Sequence, residues 1–528
     1  MNTLRGLTIG CVMVAWGFSS AAAQGFTTND RVIRNMWTEG MENSHAYALS
    51  QALLDSVGPR LTGTPEMESG NEWLVQMYES WGIEAENEQY GTWMRWRRGI
   101  THVDLVAPRV RSLEAMMLAW SPGTGGETVR GAVVTIPDVQ SANQFEEWLS
   151  TIEGKFVAVS FPQPTCRPDA DWEEWATEES FDAMKEERDA AATRWAERLN
   201  GAGLEIRNRA GQMELMRRIE EAGALGILTS RWSLGWGVQK IFNANTERIP
   251  TVDVSCEDYG LVARLAERDQ GPVIEMTADA EFLGEGPVFN TIARIPGREL
   301  PDEYVMLSAH FDSWDGGSGA TDNGTGTITM LEAMRIISET YPHPRRTILV
   351  GHWSGEEQGL NGSRGFAEDH PEVVNGLQAL FNQDNGTGRV VNISSQGLVD
   401  ASGSFATWLS QIPSDITSHI KFSFPGTPSG GGTDNASFVC YGAPAFSLGA
   451  LSWNYGQYTW HTNRDTFDKI SFDDLKNNAT LTAMLVYLAS EDPESVSRTR
   501  RDAMPVRRGV ELEWPECQPS RRDWSQRR

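Results

Sequence analysis

Hydrophobic positions along the chain fall into two textures. Unbroken apolar runs at residues 304–308, 347–350 and 377–381 read as strands buried on both faces, because a half-exposed strand would alternate. Residues 39–53, 67–81 and 472–490 instead repeat apolar side chains at helical spacing, and Gly82 closes the second of these helices. Between the first two lies a turn-rich loop, Gly58-Pro59-Arg60-Leu61-Thr62-Gly63-Thr64-Pro65. Strands carrying Trp93 and Trp96 follow, and the texture then changes over residues 103–284. Here short β runs at 131–136 and 155–160 precede a charged, alanine-rich helical segment at 169–208. A helix running into a strand spans 215–228, a strand opens at Ile249-Pro250, and a helix covers 256–268. The strand-and-helix pattern resumes at Phe289 and runs to about residue 491, which predicts an α/β class. Past Pro493 paired arginines and absent periodicity predict a mobile or surface-draped tail.

At 528 residues the chain exceeds one ordinary core. Its net charge of −27 argues against sequence-independent nucleic-acid binding and against docking on anionic lipid. Twenty tryptophans, several in polar surroundings, hint at an aromatic-lined surface. Residues 1–23 read as an export signal: Arg5 is the sole charge, residues 7–18 are apolar but too short to span a bilayer well, and Ala21-Ala22-Ala23 offers a cleavage site. No later stretch is long and apolar enough to cross a membrane, so no stable membrane insertion is expected. Cys166, Cys256, Cys440 and Cys517 remain, enough for two disulfides, with Cys166 and Cys256 favoured as partners because they fall in one predicted domain. A periplasmic or extracellular location follows. Asn-x-Ser/Thr triplets at Asn323 and Asn385 adjoin candidate metal ligands, where a glycan would block the site, which favours bacterial export.

Three polar stations follow the three apolar runs. They are Ala309-His310-Phe311-Asp312-Ser313 with Thr321-Asp322-Asn323-Gly324, then Trp353-Ser354-Gly355-Glu356-Glu357-Gln358, then Phe381-Asn382-Gln383-Asp384-Asn385. Groups at the carboxyl ends of strands in an open α/β sheet converge in one crevice. A hydrolytic zinc site needs imidazole and carboxylate ligands, and a base for the proton of the bound water. His310, Asp322, Glu357, Asp384 and a later histidine, His461, supply five ligands for two Zn²⁺ ions sharing one bridge. Glu356 is left over as the general base. Three ligand carboxylates and a bridging hydroxide balance two Zn²⁺ ions, as burial requires. His45, His102, His343, His352, His370 and His419 lack an acidic partner at suitable spacing and read as structural or surface residues. Asp315 reads as a turn residue.

These runs, with Trp314-Asp315, Gly319-Ala320 and Gln358-Gly359, resemble the co-catalytic di-zinc exopeptidases typified by bacterial leucyl aminopeptidase and plasma glutamate carboxypeptidase. The resemblance implies a three-layer α/β/α domain with a mixed, mainly parallel sheet. It implies that His310 and Asp384 hold one zinc, Glu357 and His461 the other, and Asp322 bridges them. Glu356 would take the proton of a metal-bridging water, and Asp312 would orient the His310 ring. It further implies an often cis peptide after Asp322. At Thr433-Asp434-Asn435 many relatives have Ser-Asp-His, so no histidine role carries over there, and Asp434 reads as structural or supporting. Residues 103–284 resemble a protease-associated domain, which implies a lid or docking module.

The expected organisation is a signal peptide at 1–23, the catalytic domain at 24–102 and 285–492, the protease-associated insert at 103–284, and a basic tail at 493–528. The expected activity is zinc-dependent cleavage of a terminal bond in a peptide or dipeptide, as aminopeptidase, carboxypeptidase or dipeptidase. The resemblance also admits a homodimer. Two alternatives are a glutaminyl-cyclase-like transferase, against which His310 with Asp312 counts, and a non-catalytic receptor-like protein, against which the full ligand set counts.

Overall fold

The computed structural model describes residues 28–204 and 209–527; the segment read as an export signal lies outside them. The strands that set the frame are β1 Glu84–Ala107, β2 Val129–Thr135, β3 Phe156–Ala158, β4 Gly226–Thr229, β5 Thr251–Val254, β6 Val273–Ile295, β7 Leu300–His310, β8 Arg346–Trp353, β9 Leu377–Asn382, β10 Val390–Ser394, β11 Lys421–Ser423 and β12 Ala445–Ala450. Their order across the sheet is β11-β10-β12-β9-β7-β8-β6-β2-β3-β4-β5, with β1 laid along β6. Strands β8, β7, β9 and β12 are parallel neighbours, while β6 and β10 join antiparallel.

The central strands read as unbroken apolar runs because both faces are covered. Val305, Leu307, Ala309, Ile348, Val350 and Phe381 pack on one face against residues of helices Thr325–Thr340 and Phe472–Glu491. The alternate residues Met306, Leu349 and Leu380 pack on the other face with Phe366, Val373 and Phe438. The result is three layers with a mixed, mainly parallel sheet, as expected.

Segment 103–284 is mounted on two very long strands. β1 and β6 pair antiparallel from Glu84–Arg294 in the main sheet to Leu105–Ile274, where the parallel set β2-β3-β4-β5 begins. The chain leaves along one and returns along the other, so the segment is carried by a continuous hydrogen-bonded ladder. Its short strands also bury both faces: Phe156, Ala158, Leu228 and Val252 turn toward one core, Val157 and Ile227 toward another. The charged stretch expected to be helical forms helices Asp169–Trp175 and Glu178–Gly201, and the second anchors itself through Met184, Trp195 and Leu199.

Two regions depart from the sequence reading. The helix expected over residues 39–53 is broken near Ser44, because the buried Glu332 carboxylate accepts the His45 N–H at 2.8 Å and the Ser44 hydroxyl at 3.0 Å. A new helix, Ala46–Gln51, starts there. The basic tail drapes over the surface but is pinned: Cys517 is bonded to Cys440, Trp514 packs against two cores, and Arg522 pairs with Glu368 and Asp369. The second disulfide joins Cys166 to Cys256.

Candidate metal centre

Each station lies where its strand stops. His310 is the last residue of β7, Glu356 and Glu357 follow β8 after Trp353, and Asp384 follows β9 after Asn382. His461 lies in the loop beyond β12. Two ligand-like clusters result, His310 with Asp322 and Asp384, and Asp322 with Glu357 and His461, the offered atoms of each within 4.8 Å of one another. His310 Nε2 lies 3.4 Å from Asp322 Oδ1 and 3.4 Å from Asp384 Oδ1. His461 Nε2 lies 3.2 Å from Asp322 Oδ2 and 2.9 Å from Glu357 Oε2. Asp322 thus turns one carboxylate oxygen toward each cluster.

The atoms aim at common points rather than at one another. His310 Nε2, Asp322 Oδ2 and Glu357 Oε1 are buried yet have no hydrogen-bond partner among the described residues. Leaving such groups unpaired costs roughly 1–3 kcal/mol each. A cation with nitrogen and oxygen preference satisfies them together, so the donor set fits zinc. In the protein alone, burial opposes a charged His310 ring, but Asp384, Glu356, Asp312 and Asp322 outweigh it and hold its pKa well above the ordinary value. Burial is also the main cause that pushes the Glu356 and Glu357 carboxyls well above theirs. The Glu356 carboxylate makes no hydrogen bond to a described residue and feels the charges of His310, Asp384 and Glu357.

Supporting groups fix these side chains. Asp312 lies beside His310, but the ring Nδ1 meets its main-chain carbonyl at 2.9 Å, with the carboxylate oxygen 3.6 Å away. The Asp312 carboxylate instead accepts the N–H groups of Glu356 and Glu357, each at 3.2 Å, and the Thr62 hydroxyl at 3.2 Å. Asp312 therefore couples the first station to the second. The buried Asp465 accepts the N–H groups of Thr321 at 2.8 Å and Asp322 at 3.0 Å, and burial raises its carboxyl to about 7. Arg60, fully buried, donates to the carbonyls of Phe311 and Ser318 at 2.7 and 2.9 Å, tying the turn-rich loop to the His310 loop. The Asp322–Asn323 peptide is cis, as the resemblance implied.

His461 is held from outside the main sheet. Its φ of 60° lies in the left-handed region, which costs a non-glycine residue roughly 1–2 kcal/mol. Ile241 N–H donates to the His461 carbonyl at 2.8 Å, and Asn463 N–H donates to Gln239 O at 3.0 Å. Trp460 stacks on the His461 ring at 3.9 Å, and Phe242 meets it edge-on at 5.1 Å. Residues 239–242 belong to the 103–284 segment, so that segment braces a candidate ligand.

Sequence patterning gave no role to Arg60 or Asp465. Both were visible only as polar residues in loops, since their partners lie more than a hundred residues away. Asp315 is more than a turn residue: both its oxygens pair with Arg98, at 2.7 and 2.8 Å. His352 packs in the sheet, its Nε2 2.7 Å from Tyr78 Oη, and burial lowers its pKa to about 3. Two other histidines, read as lacking acidic partners, do have them. His370 meets Glu88 at 2.9 Å and Glu372 at 3.1 Å, and His102 meets Asp104 at 2.9 Å, all away from the centre. Asp434 is buried, which raises its carboxyl to about 7.

Comparisons with known proteins bear on the family and the fold. Residues 290–486 match the profile of Peptidase family M28. Carboxypeptidase Q of Bos taurus is 25% identical over 88% of this chain and 90% of its own length. Leucine aminopeptidase 1 of Coccidioides posadasii is 30% identical over 42% of this chain and 61% of its own. In fold, the chain is similar to a Peptidase M28 precursor from Shewanella amazonensis (TM-score 0.64, 22% identity, 88% of this chain and 97% of that one). It is also similar to a zinc aminopeptidase from Bacillus subtilis (TM-score 0.55, 18% identity, 86% of this chain and 97% of that one). The match over residues 290–486 and these relatives support the co-catalytic zinc exopeptidase family, and the chain is a metallopeptidase.

Proposed function

We propose that the chain is an exported di-zinc exopeptidase, with His310 and Asp384 holding one ion, Glu357 and His461 the other, and Asp322 shared between them. The observation that carries this reading is the Asp322 carboxylate, which offers one oxygen to each histidine, at 3.4 and 3.2 Å. Zinc at these positions supplies Lewis acidity, polarising a peptide carbonyl and acidifying water at neutral pH.

The chain's own residues do the remaining work. Glu356 takes a proton from the attacking water and returns it to the leaving amine, a role suited to a carboxyl whose proton affinity burial raises. Asp312 is a positioning residue, fixing the backbone of the glutamate pair so that Glu356 and Glu357 diverge. Segment 103–284 serves as a protease-associated insert whose contribution to the site is the brace on His461. Disulfides Cys166–Cys256 and Cys440–Cys517 support an oxidising compartment. No helix among the described residues is long and apolar enough to cross a membrane.

The test is to count zinc per chain by atomic emission and to assay dipeptides with free or blocked ends before and after chelation. Two zinc per chain and hydrolysis restored by zinc is the expected result. A chain that binds no metal and cleaves nothing sinks the proposal, and one tightly held zinc with N-terminal cyclisation supports a transferase instead.

A further inference from the structure

Beside Glu357 opens a cavity of about 380 Å³ whose walls come from three separate parts of the chain. The 103–284 segment contributes Arg209 and Arg231, the main domain Trp314 and Gln358, and the tail Arg521. In a chain of net charge −27, guanidinium groups converging on one cavity reverse the local sign. Arg231 is half-buried, and its guanidinium makes no hydrogen bond or ion pair among the described residues. It lies 5.0 Å over the Phe242 ring. Asp253 accepts the Arg231 main-chain N–H at 2.9 Å and attracts the guanidinium electrostatically, without a hydrogen bond to it. Arg521 donates to the Gln358 carbonyl at the lip and is held there by a tail that Cys517 and Trp524 anchor. Burial and the nearby Arg209 and Arg364 charges both lower the Arg521 pKa, a sign of locally accumulated positive charge.

The neutral groups have the same bias. Trp93 and Trp314, 2% and 7% exposed, line the cavity, and the indole N–H of each lacks an acceptor. Against these donors stand the unpaired amide oxygens of Gln358 and Asn243, and the Glu357 carboxylate, which the zinc reading engages at the metal centre. Buried donors without acceptors beside the guanidinium groups of Arg231 and Arg521 are the complement of a carboxylate, which accepts in several directions and is matched in plane by arginine. A free amine would need the opposite lining.

We infer that this cavity is an anion subsite that takes a carboxylate of the bound peptide, with Arg231 and Arg521 as specificity-determining residues. The inference rests on the peptidase reading. It favours peptides with a free carboxyl terminus or an acidic side chain next to the scissile bond.

The test uses the full zinc-loaded chain and paired substrates: a dipeptide ending in leucine as the free acid or the amide, and one ending in glutamate amide. We expect kcat/KM for the free acid to exceed that for leucine amide by about tenfold or more. The acid-to-amide ratio should approach one in Arg231→Gln with Arg521→Gln, and largely return in Arg231→Lys. Preference for glutamate amide over leucine amide, with no effect of the free acid, identifies a side chain as the carboxylate read. Calorimetry with N-acetyl-leucine and its amide gives a readout independent of turnover, and tighter acid binding should weaken in the double variant. Equal cleavage of acid and amide by an active wild-type chain, unchanged in the variants, overturns the subsite alone. Cleavage of neither overturns the peptidase reading and the subsite with it.

Discussion

The two neighbouring glutamates divide into roles that single substitutions separate. Glu357 faces His461 at 2.9 Å, whereas the Glu356 carboxylate has no hydrogen-bonded partner among the described residues. Glu356→Gln should keep both zinc ions and lose about 10²- to 10⁴-fold in kcat, the usual worth of a general base. Glu357→Gln should lose metal. Zinc counts on the two purified variants decide this, and metal loss in the first would exchange the roles. His352 shows what burial does to a group outside the centre. Its pKa is about 3 in the folded chain against about 6.5 unfolded. Between those values the unfolded chain binds the extra proton, so stability falls as pH drops through that window. From pH 6.5 to 4.5 this amounts to about 2–3 kcal/mol. His352→Gln should flatten that part of the loss, read as urea midpoints at the two pH values; equal losses in both proteins would remove the attribution to His352.

At the level of elements, the brace on His461 makes a further prediction. Asn463 accepts the Gln239 N–H at 2.9 Å and donates to Gly237 O at 3.2 Å and Gln239 Oε1 at 3.0 Å. Asn463→Ala cuts these links between the 103–284 segment and the His461 loop. Zinc affinity on the His461 side should fall about 10- to 100-fold, as when outer-shell partners of a metal site are lost. Titration against a chelator should then show one weakened and one unchanged site, and two unchanged sites would refute the brace. The strands that carry the stations were legible in the sequence because burial on both faces leaves unbroken apolar runs such as residues 304–308. The stations were legible because strand ends converge. The brace was not, since a hydrogen bond from Ile241 N–H to His461 O spans two segments that share no periodicity. The break near Ser44 was hidden for the same reason: Glu332, which causes it, is remote in sequence. Asp312 was picked as a supporting residue, but which of its oxygens meets His310 depends on backbone geometry that spacing does not encode.

At the scale of the whole molecule, the acidic body and basic tail form one charge-complementary unit. Arg522 pairs with both Glu368 and Asp369, and its carbonyl accepts the Thr92 N–H at 2.7 Å, so the tail adds hydrogen bonds to the edge of β1. Trp524 packs edge-on to Trp93 at 5.5 Å and beside Trp120 at 5.4 Å, completing an aromatic cluster that reaches Trp314 near the centre. The Cys440–Cys517 bond closes a loop of 77 residues in sequence, a constraint on the unfolded chain worth roughly 4 kcal/mol. Cys440→Ser with Cys517→Ser should therefore lower the unfolding midpoint by several degrees while leaving zinc at its wild-type count, because no metal-centre residue hangs on the tail. The surface ion pairs of Arg522 contribute little by themselves and are screened by salt. In the disulfide-free chain they are the remaining electrostatic tether, so limited proteolysis after residue 500 should accelerate as salt is raised, whereas the wild-type rate should hardly change. Salt-insensitive proteolysis in the variant would mean that the aromatic packing of Trp514 and Trp524, not charge, keeps the tail in place.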